Sequence, residues 1–193
     1  MSRLKPARSA RRIATALATC GLIAAAAPAA SLADAPTHCT GADTLPAETG
    51  GRASAQATLC LINEIREGHG RGRLRANERL AAAAGGHARD MVANRYFSHD
   101  SLSGLDFVRR ALAAGYTTRA RMELLGENLA WGSGQLATPE EIVDAWMRSP
   151  GHRANILRRG FREIGIAVAD GTPAPGAPIG ATYASSFGTR AGR

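Results

Sequence analysis

Two histidines and one glutamate stand in short polar segments that look unlike scaffold. His99 closes the stretch YFSH, Glu127 lies between glycines in GENLAWG, and His152 follows a turn in SPGH. Two imidazoles that converge could hold Zn²⁺ or a similar ion, with water at the open positions and Glu127 as a further ligand or water-orienting group. A histidine paired with Glu127 could instead move a proton. Polar residues on loops held by a rigid frame are where function concentrates, so these segments predict one cleft.

Each of these residues also has a structural interpretation. Either histidine could hydrogen-bond to backbone across the floor of the cleft, and Glu127 could tie down its own loop by accepting N–H bonds. Asn128 and Ser149 join His99, Glu127 and His152 as candidate cleft residues, whereas Asn128 and Asn155 are also expected to be turn or cap residues rather than substrate contacts. Ser149 stands before a proline, where a turn serine is commoner than a nucleophile. Catalytic roles therefore stay open for His99, Glu127 and His152, and none is assigned.

The helix that must position His99 has a clear pattern. Asn77 is expected to cap it, and Leu80, Ala84, His87 and Met91 recur at the spacing of one buried face. On that apolar stripe, His87 is predicted to be a satisfied core histidine rather than a ligand. The segment YFSH leaves the end of this helix as a loop.

Three further helices are expected. The first runs from Ser54 to about Gly68 and the second covers Gly104–Ala114. The third begins at the capping Thr138 and is interrupted at Ser149 and Pro150, after which a second helical piece follows. Their buried faces are predicted to carry Leu105, Val108 and Leu112 in the short helix, and Ile142, Ala145 and Trp146 in the last. Trp131 is also expected in the core. Residues 163–169 and 179–187 are predicted to be antiparallel strands around the Gly/Pro-rich turn 171–178, so helices first and strands last indicate an α+β domain.

Residues 1–33 have the three parts of a secretory signal peptide: a basic start, an apolar alanine-rich run and a small-residue exit. A membrane anchor, twin-arginine export and lipidation at Cys20 are the alternatives. Beyond this segment, nineteen arginines against sixteen acidic residues leave a net charge of +3. The arginines look scattered and few aromatic residues accompany them, so no nucleic-acid partner is expected. Secretion or a periplasmic location, with no transmembrane segment after cleavage, is the expectation.

The remaining length suits one compact domain. Residues 34–54 are expected to be an irregular N-terminal segment and residues 55–189 the domain itself, as a monomer. Cys39 and Cys60 form an even pair in an exported chain, which predicts a disulfide that ties the N-terminal segment to the first helix.

The ordered set of segments resembles the CAP (SCP/PR-1-like) superfamily, in its bacterial YkwD-like secreted branch. The resemblance covers residues 55–189 and includes LINEIR, HARDM and the three polar segments in the same order. It implies a three-layer α–β–α sandwich with a central antiparallel sheet and an open polar cleft. Mapped onto this chain, the two cleft histidines fall on His99 and His152 and one acid on Glu127. The second acid of animal and plant members falls on Ser149, and the terminal strand lacks the Trp-Thr-Gln of relatives.

Three functions follow as hypotheses from this resemblance and these residues. The first is a binding module for a small hydrophobic or cell-envelope ligand, with no required cofactor but with room for Zn²⁺ or another divalent metal at His99 and His152. The second is a metal-dependent hydrolase of peptides or envelope polymers, although the sequence has no HExxH run and no acid pair. The third is an extracellular stress or interaction protein without a small ligand.

Overall fold

One four-stranded sheet organises the part of the chain that this computed structural model describes, namely residues 39–116, 122–174, 176–177 and 179–190. The strands are β1 (Arg75–Ala76), β2 (Met122–Ser133), β3 (Glu163–Asp170) and β4 (Gly180–Arg190), in the spatial order β1-β3-β4-β2. β4 pairs antiparallel with both β2 and β3, whereas the two-residue β1 runs parallel to β3. The predicted antiparallel centre is therefore confirmed, and β2 is an edge strand.

In the described ranges, six α-helices surround this sheet: α1 (Pro46–Thr49), α2 (Gly51–Gly68), α3 (Glu78–Asn94), α4 (Phe107–Ala113), α5 (Pro139–Arg148) and α6 (Pro150–Leu157). Two of the predicted caps are present. The side chain of Asn77 accepts hydrogen bonds from the backbone N–H groups of Arg79 and Leu80, and Thr138 caps α5 through Glu141. α5 and α6 are separate helices, as the break at Ser149 predicts.

The helices α2, α5 and α6 cover one face of the sheet through the larger of the hydrophobic clusters. Trp146, Ile156 and Phe161 pack there against Tyr183 and Phe187 of β4, all at most 1% exposed. The indole N–H of Trp146 also donates to the backbone oxygen of Leu129 (3.1 Å), so a helix side chain caps the outer edge of β2. Large apolar residues on this side set α5 and α6 beside the strand that carries Glu127.

The helix α3 covers the other face, where small side chains allow close contact. Ala84, Ala88 and Met91 pack against Leu129 and alanines of β3 and β4. A Cβ atom placed on Gly165 of β3 would lie 1.9 Å from the backbone nitrogen of Ala81, so glycine is needed where α3 crosses the strand. With helices on both faces, the predicted α–β–α sandwich is confirmed.

Several predictions about individual elements are wrong. The segment GENLAWG is the middle of β2 rather than a loop, and β2 precedes α5, so the strands do not all come last. Leu105 and Leu112 are 41% and 45% exposed, and Trp131 is 39% exposed rather than in the core. Ala145 is also exposed, and Val143 takes its place on the buried face of α5. Within residues 34–54, the short helix α1 and the start of α2 lie where an irregular segment was expected.

The predicted disulfide between Cys39 and Cys60 is present. It joins the N-terminal segment to α2, as expected from the sequence. Among the described residues, no helix is long and apolar enough to span a membrane. The predicted signal peptide at residues 1–33 and the lipidation alternative at Cys20 lie outside the described residues.

Candidate functional site

Glu127 is the centre of the candidate site, and its side chain is only 1% exposed. One carboxylate oxygen lies 2.9 Å from Nδ1 of His99, and the other accepts a hydrogen bond from Nη2 of Arg110 at 2.7 Å. Because Glu127 alternates along β2 with Asn128, it faces the α3 and α4 side of the sheet, where α4 brings Arg110. Both oxygens of this buried carboxylate therefore already have charged or polar partners.

His99 lies in the loop after α3, with 56% of its side chain exposed. The hydrogen bond to Glu127 is the largest cause of a raised pKa for His99, opposed by burial of the ring and assisted by the charge of Glu127. Since Nδ1 contacts the carboxylate, Nε2 is the ring nitrogen left for a ligand. The environment of His99 favours the protonated imidazolium, which donates hydrogen bonds and accepts none.

His152 lies in α6 and is half-buried. Burial is the first cause of its lowered pKa, and the charge of His99 is the second. A positive charge on His99 thus disfavours protonation of His152. No hydrogen bond joins the His152 ring to any other described residue, so its nitrogens are open to a ligand. The pair thus combines one imidazole that favours its charged form with one that favours its neutral form.

Asn128 and Asn155 connect α6 to β2. The side-chain amide of Asn128 donates to the backbone oxygen of His152 (3.1 Å), and that of Asn155 donates to the backbone oxygen of Glu127 (3.1 Å). Asn155 also donates to the side-chain oxygen of Asn128 (2.9 Å). The prediction that these asparagines are turn or cap residues is wrong, because Asn128 is fully buried in a strand and both residues bridge two elements. Together they set the position of His152 relative to Glu127.

A second polar network lies beneath the loop that carries His99. His87, 1% exposed on α3, makes a 2.8 Å hydrogen bond through Nε2 to the backbone oxygen of Ser98, so this nitrogen carries the proton. The hydroxyl of Tyr96 donates to Asp90 and lies 3.5 Å from Nδ1 of His87. The predicted core histidine is confirmed. Its ring holds the residue that precedes His99.

Arg110 is the part of the site that sequence reasoning missed. Its side chain is 9% exposed, and its second contact is a hydrogen bond to the backbone oxygen of Leu105 (2.7 Å). The apolar spacing in this segment directed attention to Leu105 and Leu112, which face solvent. The signal that could have pointed to Arg110 was Glu127 itself, because a buried carboxylate requires a cationic or hydrogen-bonding partner.

A divalent metal has few free ligands at this site. Glu127 is buried and each of its oxygens already contacts His99 or Arg110, so the two imidazoles are the more accessible donors. Among the described residues, the one group of three metal-ligating side chains with mutual distances under 4.8 Å is Cys39, Cys60 and Glu64. Its two sulfurs form the disulfide, so this group is not a metal site as it stands.

Ser149 joins α5 to α6. It is half-buried and serves as the N-cap residue of α6 without a side-chain capping bond. The backbone N–H of Ser149 donates to the backbone oxygen of Trp146 (3.2 Å). Its hydroxyl makes no hydrogen bond to either cleft histidine among the described contacts, so no nucleophile is assembled around it.

The α–β–α sandwich defines the fold class of the protein, and comparison with known sequences identifies the family. The family model described as the cysteine-rich secretory protein family, CAP, matches residues 59–177. The chain therefore belongs to the CAP family.

Two curated relatives are from Bacillus subtilis (strain 168). The uncharacterized protein YkwD is 37% identical over 112 residues, which cover 57% of this chain and 40% of YkwD. The uncharacterized membrane protein YlbC is 32% identical over 115 residues, which cover 60% of this chain and 31% of YlbC. The chain thus aligns with less than half the length of either relative.

Solved structures share the fold. An extracellular protein containing a SCP domain from Bacillus anthracis has a TM-score of 0.58 and 27% identity, over 71% of this chain and 40% of that chain. An outer surface protein from Borrelia burgdorferi has a TM-score of 0.56 and 23% identity, over 69% of this chain and 90% of that chain. The second likeness, at its lower identity, concerns the fold alone.

Proposed function

We propose that this protein is an extracytoplasmic binding module whose cleft takes a small cell-envelope ligand through His99 and His152. The predicted signal peptide, the disulfide and the extracellular SCP-domain relative support the location. The ligand is expected to offer a carboxylate, phosphate or carbonyl oxygen to Nε2 of His99. His152, which favours its neutral form, can then accept or donate a second hydrogen bond.

The arrangement of Glu127 carries this proposal. A general base or a water-activating group needs a free oxygen lone pair directed at the reacting proton. Here the Glu127 side chain is only 1% exposed, and its two oxygens face Arg110 and His99 rather than solvent. The carboxylate therefore orients His99 and favours its charge, which suits recognition of an anionic group better than turnover.

Exposed apolar side chains beside His99 support a ligand that also has a hydrophobic part. Phe97, Leu102 and Leu105 are 47%, 69% and 41% exposed in the loop that runs from α3 to α4. These three residues lie within nine positions of one loop, and apolar side chains grouped on a surface suit a ligand with an apolar part. A ligand with one charged end and one apolar portion would contact both the histidines and this rim.

Calorimetry on the purified protein tests the proposal with defined probes. Wild type, His99→Ala and His152→Ala are titrated with a soluble peptidoglycan fragment, a short-chain fatty acid and Zn²⁺, and His69→Ala provides an exposed histidine outside the cleft. Binding of an organic probe by wild type and His69→Ala, weakened at least tenfold in both cleft variants, is the expected result. At 100 times its dissociation constant, that probe should stabilise the fold by about 2.7 kcal/mol. Equal binding by all four proteins would overturn the proposal.

A second function is favoured by the opposite pKa shifts of the two histidines. Groups whose environments drive their pKa values apart can serve as acid and base in one reaction. In a hydrolase of peptides or envelope polymers, His152 would act as the base and His99 as the acid. This alternative requires that His152→Ala abolish turnover of an envelope polymer while leaving the unfolding midpoint unchanged. Zinc-dependent turnover by wild type would restore the metal hypothesis.

A further inference from the structure

Two segments far apart in the sequence are strongly basic. Residues 66–75 and 153–162 together contain eight arginines and one acidic residue, Glu67. The remainder of residues 34–193 has eleven arginines against fifteen acidic residues, a net charge of −4. Positive charge is thus concentrated in these twenty residues, which we call the arginine face.

Direct hydrogen bonds join the two segments into one surface. Nη1 of Arg66 donates to the backbone oxygen of Ile156 (2.6 Å), and Nε of Arg71 donates to that of Leu157 (3.0 Å). The backbone N–H of Arg75 in β1 donates to the backbone oxygen of Arg162 (3.0 Å), the residue just before β3. The end of α2, the strand β1 and the end of α6 therefore lie in contact with one another.

Arg66 shows that the fold holds these cations together at a cost in free energy. This residue is 1% exposed, and its described hydrogen-bond acceptors are backbone oxygens rather than carboxylates. Burial is the first cause of the lowered pKa of Arg66, followed by the charges of Arg162 and Arg71. Like charges held close together destabilise a fold, so a partner that neutralises them would stabilise it.

Few acidic groups compensate the face. Glu67 pairs with Arg73 (2.9 Å) in an exposed contact. The adjacent Glu163 is buried and already satisfied by Arg190, with Arg75 at the limit of 4.0 Å. The remaining described contacts of the exposed arginines 153, 158, 159 and 162 are with His69, the Phe161 ring and backbone oxygens. Their guanidinium groups are thus available to an external anion.

We propose that the arginine face binds a linear polyanion with repeated phosphate groups, such as a phosphodiester polymer of the cell envelope. The guanidinium fork pairs with phosphate in a bidentate manner, and cations spread over two segments suit a chain of such groups. The two segments contain one Phe and no Tyr or Trp, and that residue, Phe161, is fully buried, so none of these larger rings is exposed there to stack on a base. A polymer without bases therefore fits this face better than a nucleic acid. The exposed arginines, rather than His99 and His152, would bind this polymer, so the inference goes beyond the proposed function.

The test measures binding of inorganic polyphosphate by the purified protein and by two charge-matched triple variants. Arg75, Arg158 and Arg159 are changed to glutamine in the face variant. Arg52, Arg89 and Arg95, which are exposed and lie outside the two segments, are changed to glutamine in the control. We expect at least a tenfold loss of affinity in the face variant and less than a twofold change in the control. The logarithm of the binding constant should also fall less steeply with the logarithm of salt concentration in the face variant, because fewer counterions are released.

Several results would overturn the proposal. These are an equal loss in both triple variants, no binding of polyphosphate by wild type, tighter binding of single-stranded DNA of equal charge, and binding to anionic lipid vesicles without binding to polyphosphate. The variants His99→Ala and His152→Ala should bind polyphosphate as wild type does, so failure of the cleft proposal and failure of this one are distinguishable.

Discussion

At the scale of single residues, the site depends on how Glu127 is paired. The carboxylate is buried between a guanidinium and an imidazole, and each contact has its own consequence. Arg110 supplies the compensating charge for burial, whereas His99 gains a raised pKa from the same carboxylate. Removal of either partner should therefore give a different signature in stability and in pH dependence.

Arg110→Met is expected to lower the free energy of unfolding by about 3 kcal/mol, because it leaves Glu127 buried without its guanidinium partner. Arg109→Met, at the exposed neighbouring position on α4, should change it by less than about 0.5 kcal/mol. Urea unfolding monitored by circular dichroism measures both. Similar losses in the two variants would mean that the Arg110–Glu127 pair contributes nothing specific.

The contact between His99 and Glu127 predicts a pH-dependent contribution to stability. Since the folded-state pKa of His99 is raised above its ordinary value of 6.5, protonation favours the folded state. The stability difference between wild type and His99→Gln should be largest below pH 6.5 and decline as the pH rises through the folded pKa. Unfolding at a series of pH values measures this difference, and a difference that does not vary with pH would contradict the assignment.

At the scale of elements, close packing of α3 on the sheet places the loop that carries His99. The helix approaches β3 at Gly165, and its buried His87 holds the backbone of Ser98. On the opposite side, Asn128 and Asn155 join α6 to β2. The separation of the two cleft histidines is thus decided by how two helices pack around one strand.

Gly165→Ala is expected to destabilise the protein by at least about 3 kcal/mol, because the new Cβ would meet backbone atoms of Leu80 and Ala81 that cannot rotate away. Gly86→Ala is the matched control on α3, where a Cβ has no neighbour within 4 Å. Alanine there should be neutral or stabilising by about 0.5–1 kcal/mol, as expected inside a helix. Thermal unfolding of both variants tests the contact, and equal stabilities would disprove it.

At the scale of the whole molecule, one covalent link joins the N-terminal segment to the sandwich. The disulfide between Cys39 and Cys60 spans a sequence separation of 21 residues, and Cys39 belongs to the main hydrophobic cluster. Charge is also organised at this scale, because the arginine face stands out from the remainder of residues 34–193, which has a net charge of −4.

Replacement of both cysteines by serine is expected to lower the free energy of unfolding by about 3 kcal/mol, the effect of releasing a loop of this length. When wild type is treated with reductant, its midpoint of denaturant unfolding should fall to that of the double serine variant. Reductant should leave the double serine variant unchanged, which controls for its general effects. An unchanged midpoint in reduced wild type would show that the link adds little stability.

The sequence by itself determined the elements whose signals are local. Asn77 and Thr138 predict the starts of helices, because a capping side chain accepts a hydrogen bond from a backbone N–H group only two or three residues away. The period of apolar residues predicted the buried face of α3, and an alternating run predicted β3. The order of the polar segments also indicated the family, so His99, Glu127 and His152 could be named as candidates without coordinates.

Only the tertiary structure decided the features that depend on distant partners. GENLAWG forms a strand because β4, more than fifty residues later, pairs with it. Arg110 belongs to the site because α4 packs beside β2. The apolar spacing of this segment had instead directed attention to leucines that are exposed to solvent. The arginines that look scattered along the chain form one face, since Arg66 binds a backbone oxygen 90 residues away. Local propensity and periodicity cannot encode such contacts, because their free energy arises only when the elements pack together.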